Sequence, residues 1–142
     1  MEVKTLDRFL SAQDKNYREA LSEISNGRKL THWMWYVFPQ ISGLGTSEMA
    51  KFYAIENFEE AQAYFNHPVL GKRLVEIAGA LLKHKNKSAL EILGSPDDLK
   101  LHSSMTLFSK VDHADPVFDK ILHHFYDGTP DQGTLAQLEK TK

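Results

Sequence analysis

A capping residue set directly before an apolar stripe of helical period recurs along this chain, and that punctuation constrains the fold more than any other feature. The first stripe is the longest. Leu6, Phe9, Leu10, Gln13, Tyr17, Ala20, Leu21 and Ile24 recur at spacings of three and four, which predicts one core-facing helix of about five turns. Thr5 is placed to cap its start, and Asn26-Gly27 to stop it with Gly27 in the left-handed C′ position. "HPVLGKRLVEIAGALLKH" then puts Pro68 at a first helical position, with Leu70, Leu74, Ile77 and Leu81 facing inward. "SPDDLKLHSSMTLF" offers Ser95 as cap, Pro96 at the first position, and Asp97 and Asp98 at the positive end of the dipole. "DPVFDKILHHFYDG" repeats the device with Asp115 and Pro116 and closes on Gly128. Asn57 ahead of an acidic turn, and Ser88 with Glu91 as a capping box, start shorter helices, and "GTLAQLEKTK" makes a last one.

No window alternates with period two between hairpin turns, so no strand is predicted. "WMWYVF" is the one ambiguous run. Thr31 can cap it as a short helix that Pro39 must end, because the residue before proline is driven out of the helical region. The expectation is an all-α fold: one compact domain over residues 1–142, a bundle of about seven to nine short helices with no substantial sheet. A chain of 142 residues suffices to bury roughly 70% of its unfolded surface.

Charge removes several functions from consideration. The net charge of −2 gives no global field toward nucleic acid or anionic lipid. The absence of cysteine removes disulfides, thiolate metal sites and cysteine nucleophiles together. "MEVKTLDRFLSAQ" is amphipathic, without an apolar run ahead of a small-residue cleavage site, and no apolar stretch is long enough to span a membrane. A cytoplasmic protein is the expectation.

Three blocks carry residue types suited to chemistry. In "GLGTSEM", Gly43 and Gly45 permit close backbone approach, and Thr46 or Ser47 caps a helix whose first amides would suit an anion. No lysine follows as in a P-loop, and a tight turn between helices accounts for the same residues. The aromatic run is apolar nearly all round, so most of it belongs in the core. The indole N–H groups of Trp33 and Trp35 nonetheless need partners, and at least one is expected at a pocket edge, beside His32. On the third block, helical spacing puts Lys100, Ser103 and Ser104 on one side, either a small anion-binding set or a solvated face. The order Lys-x-x-Ser is the reverse of the acyl-enzyme pattern. Arg73 stands early in a helix, where the dipole disfavours a cation, so it is a candidate for pairing with an acidic side chain or a bound anion. The histidines, His123 and His124 included, make no metal-ligand spacing, and nothing calls for a metal or a cofactor.

"GRKLTHWMWYVFPQISGLGTSEMAKFYAI", "EAQAYFNHPVLGKRL", "EILGSPDDLKLHSSMTLF" and the closing "FYDGTPDQGTL" resemble the bacterial family catalogued as domain of unknown function 1810, from about Leu6 to Leu138. The resemblance implies a compact, mostly helical domain and carries no activity. Some members bear a calpastatin label, which a compact helical domain does not fit. Positions matching the family include His32, Trp33, Trp35, Gln40, Gly43, Gly45, Ser47, Tyr53, His67, Arg73, Lys100, Ser103 and Ser104. A looser similarity extends to helical hydrolases of ADP-ribose-like compounds, which also place a "TSE"-like turn early and a lysine-bearing helix late.

Two readings are open. In the first, segments 31–53, 67–74 and 97–108 form one cleft that binds or hydrolyses a small anionic ligand, phosphate-, nucleotide- or ADP-ribose-like. Its catalytic residues would be His32 or Glu48 as acid or base, with Lys100 holding the anionic group. Its ligand contacts would be Trp33, Trp35, Gln40, Gly43, Gly45, Ser47, Tyr53, His67, Arg73, Ser103 and Ser104. In the second, the chain is a non-catalytic interaction or regulatory domain. The oligomeric state is not readable from these residues.

Overall fold

The computed structural model describes residues 5–141. Among them lie nine helices and no strand: α1 (Asp7–Ser25), α2 (Met34–Val37), α3 (Glu48–Phe52), α4 (Phe58–Asn66), α5 (Leu70–Leu82), α6 (Ala89–Leu93), α7 (Asp97–Ser109), α8 (Pro116–Tyr126) and α9 (Gln132–Thr141). Two helices organise the rest. α5 packs on α1, α4 and α8, while α7 packs on α4, α6, α8 and α9. A chain of rings ties the elements together: Phe9 stands edge-on to Tyr64, Tyr64 meets Phe108, and Phe118 touches both Phe108 and Phe65. Every described helix except α3 gives buried residues to this core.

Most starts form as their chemistry dictates. Asn57 Oδ1 accepts from the Glu60 N–H, Ser47 Oγ from Ala50, and Asp115 Oδ1 from Val117 with Pro116 following. Ser88 and Glu91 close a reciprocal capping box. Two expectations fail because another partner takes the amide or the hydroxyl, and one helix start is shifted by two residues. Pro68 lies in the turn before α5, which begins at Leu70, and the His67 ring does the capping, Nδ1 accepting from the Val69 and Leu70 N–H groups. Ser95 makes no cap to α7, where the Gly94 and Pro96 carbonyls accept the Asp98, Leu99 and Lys100 N–H groups instead. Thr31 does not cap α2, since its hydroxyl donates to Glu23 at 2.7 Å.

Two connections shape the surface between the helices. The loop carrying α3 is closed at its base by an isolated parallel bridge between the buried Ile41 and Ile55. Arg8 locks the same base, donating to the Phe52 and Ala54 carbonyls and bidentately to Glu60. Gly71 lets α5 start against the end of α4, for a Cβ there would lie 1.9 Å from the Phe65 carbonyl oxygen.

Candidate functional site

The aromatic run splits by face around α2. Trp33 is fully buried, and its indole N–H donates to Glu23 Oε1 at 2.9 Å. Glu23 also accepts from the Leu30 and Thr31 N–H groups and the Thr31 hydroxyl. Burial pushes the Glu23 carboxyl up, but those donors outweigh burial and hold it at about 2. Trp35 faces the other way, half-buried, with the Lys100 ammonium 5.4 Å from its ring centroid. Asp97 bonds Lys29 at 2.9 Å and leaves Lys100 at 3.7 Å, while Lys29 lies over Trp33. Tyr36 takes a third direction, its hydroxyl held by Asn16 Nδ2 and its carbonyl accepting from Gln13 Nε2.

The remaining sequence-predicted residues disperse. Ser103 is buried and donates to Asp131, which also accepts from the Thr134 hydroxyl and N–H at the start of α9. Ser104 is fully buried and its Oγ has no partner among the described residues. The two hydroxyls therefore do not join Lys100 on an open face. His32, Ser47 and Glu48 are exposed, and among the described residues no hydrogen bond or ion pair joins His32, Glu48 and Lys100. Gly43, at φ +102°, runs so close to α9 that a Cβ would strike the Gln137 amide, and Gly45 closes on Ala50. The Gln40 carbonyl accepts the Ile55 N–H at 2.8 Å at the base of the loop. Tyr53 packs its ring on Phe9, Tyr36 and Phe52, and burial raises its hydroxyl above its ordinary range.

Arg73 is placed differently from all of these. It lines a groove of about 780 Å³ between α1 and the start of α5. Its guanidinium stacks over the Tyr17 ring, 5.1 Å from the centroid, and donates to Asp14 at 3.1 Å and Gln13 at 3.4 Å. The Asp14 side chain is 65% exposed, so the pair is a weak, water-screened one. Arg8 is the useful contrast: with its side chain 5% exposed and its donors spent on three carbonyls and one carboxylate, it is structural.

The Tyr17 hydroxyl donates to Glu76 Oε1 at 2.6 Å and lies 2.9 Å from the Arg73 carbonyl. Burial, then the bond to Glu76 and its charge, push the phenol well above its ordinary range, against the opposing pull of Arg73, so it stays a donor. Lys15, Arg18, Glu19 and Lys72 line the rim, and Asn16 Oδ1 on the wall has no partner among the described residues. Gln13, Asp14, Tyr17 and Glu76 were not among the predicted site residues. The signal for one was present, because a glutamine inside an apolar stripe must spend its amide on something.

A second groove, about 810 Å³, runs along α9 past Phe58, Lys110, Leu135 and Leu138, and holds none of the sequence-predicted residues. Among the described residues no group of three histidines or carboxylates is placed to hold a metal ion. No described helix is long and apolar enough to cross a membrane.

Fold and groove together define an all-α domain whose half-exposed arginine lies in an open, charged trough. The chain belongs to the family described as protein of unknown function (DUF1810), whose model matches residues 3–138. Among solved structures it is similar to the conserved hypothetical protein Rv1873 from Mycobacterium tuberculosis, with 48% identity and a TM-score of 0.92. That match covers 94% of this chain and 96% of the other. No curated protein matches the sequence.

Proposed function

We propose that this protein binds a small molecule bearing an anionic group, carboxylate or phosphate, in the α1–α5 groove with Arg73 as its anchor. The observation that carries the reading is the poor commitment of Arg73. Its one carboxylate partner is a mostly exposed side chain that an incoming anion can replace at little cost. The groove's volume of about 780 Å³ falls within the range of ordinary small-molecule sites. Tyr17 supplies the stacking floor beneath the guanidinium.

Thermal-shift titration with inorganic phosphate, nucleotides, ADP-ribose, sugar phosphates and carboxylates tests it. At least one should stabilise the protein in proportion to the logarithm of its concentration, and Arg73→Ala should abolish the shift while remaining folded. No response to any of these at millimolar concentration would refute the reading.

A second reading, a contact surface for another protein, is supported by three exposed leucines. Leu30, Leu90 and Leu99 are 69%, 54% and 60% exposed, on neighbouring elements linked by the Lys29 N–H to Ile92 and the Lys29–Asp97 pair. If that surface mediates self-contact, light scattering should show association that Leu90→Ser and Leu99→Ser remove.

A further inference from the structure

We infer that the molecule held in the α1–α5 groove is zwitterionic: an α-amino acid, or a compound with the same close pairing of carboxylate and ammonium. The inference rests on the anion reading and adds the second charge.

The first reason is the sign of the lining. Lys15, Arg18, Lys72 and Arg73 are set against Asp14, Glu19 and Glu76, so the walls are close to neutral. A polyphosphate or a dianion seated on Arg73 would meet the facing carboxylates, at a repulsive cost that its contact with one guanidinium must first overcome. A ligand that is itself close to neutral meets no such penalty.

The second reason is arrangement. Arg73 and Glu76 are three apart on α5, hence on one face, and both engage Tyr17: the guanidinium over its ring, the carboxylate at its hydroxyl. Positive and negative groups thus flank a single phenol. One Glu76 oxygen accepts the hydrogen bond of the Tyr17 hydroxyl, and among the described residues Glu76 makes no ion pair, although Lys72 and Arg73 lie on the same helix. On α1, Asp14 and Tyr17 repeat the spacing. When a ligand carboxylate takes Arg73, Asp14 is released beside it, and it becomes a second acceptor for an ammonium. The groove therefore offers one anion seat with carboxylates on both sides of it.

The experiment compares ligands that differ only in the ammonium. The full chain is titrated calorimetrically with the standard L-amino acids, then with the deamino counterpart of each that binds, L-aspartate against succinate among them. At least one amino acid should bind about tenfold or more tighter than its counterpart. Glu76→Gln should weaken the amino acid and tighten the deamino acid, a crossing that a merely structural role cannot produce. Arg73→Ala should remove both, and circular dichroism checks that each variant is folded. Deamino acids or phosphate binding as tightly as the amino acids, with that binding lost in Arg73→Ala, would overturn the zwitterion while leaving the anion reading in place. Failure of every amino acid and every anion to bind would overturn both.

Discussion

Glu23 receives the indole N–H of the fully buried Trp33 at 2.9 Å, and the same carboxylate gathers the Leu30 and Thr31 amides. One acidic side chain of α1 thereby fixes the whole approach to α2. Because the folded carboxyl is held at about 2 against an ordinary 4.5, its contribution is fully present above about pH 4.5 and is lost as the pH falls toward 2. At roughly 3 kcal/mol it is a large share of a small domain's stability. Glu23→Gln should cost about 2–4 kcal/mol at pH 7 by urea denaturation, and the difference from the parent protein should shrink by pH 3. Equal stability at pH 7 would contradict this role for Glu23.

Ser103 and Ser104 are neighbours with opposite expectations. Ser103 bonds Asp131 and the Leu99 carbonyl, so Ser103→Ala should cost about 1–2 kcal/mol. Ser104 is fully buried with an unpartnered hydroxyl, so Ser104→Ala should be neutral or stabilising, within about 1 kcal/mol. Thermal unfolding of the two variants side by side checks the pair, and a reversed order would show that the buried hydroxyl has a role the packing does not account for.

At Gly71 the constraint is a backbone contact rather than a torsion. An added methyl would lie 1.9 Å from the Phe65 carbonyl oxygen, and no side-chain rotation can relieve that. Gly71→Ala should destabilise by about 2–3 kcal/mol or more, whereas Gly79→Ala, with open space around its Cβ, should be neutral or mildly stabilising because alanine is the better helix former. Equal melting temperatures for the two variants would contradict the close α4–α5 contact.

Lys100 and Trp35 make a half-buried cation–ring pair at 5.4 Å with one long carboxylate contact, and such a pair contributes about 1 kcal/mol or less. Lys100→Ala should shift stability by less than about 1 kcal/mol. A larger loss by urea denaturation would mean that Lys100 braces α7 against α2.

Where a signal was local, the sequence could be read directly. Asn57, the Ser88–Glu91 box and Asp115 each satisfy an amide within three residues, and all form as their spacing dictates. Two errors share one cause. Thr31 and Ser95 carry the right local chemistry, but a distant carboxylate or a loop carbonyl satisfies the need first. The groove shows the same limit. Arg73 stands out in sequence because a cation sits badly in the first turn of a helix. Its partner Asp14 and the Tyr17 hydroxyl at its carbonyl lie 59 and 56 residues away, on a helix whose periodicity says only that it packs. Tyr17 counts as core by pattern, and only the Arg73 guanidinium over its ring and the Glu76 carboxylate at its hydroxyl place it in the candidate site.

If the α1–α5 groove, rather than the Trp35–Lys100 face or the loop at Gly43, seats the ligand, NMR will report it residue by residue. Amide and indole shifts are recorded during titration with the best-stabilising anion or amino acid. Perturbations should concentrate in residues 13–21 and 68–76, with the indole resonances of Trp33 and Trp35 unmoved. Shifts concentrated at Trp35, Lys100 and residues 43–47, with the groove silent, would contradict the proposed site.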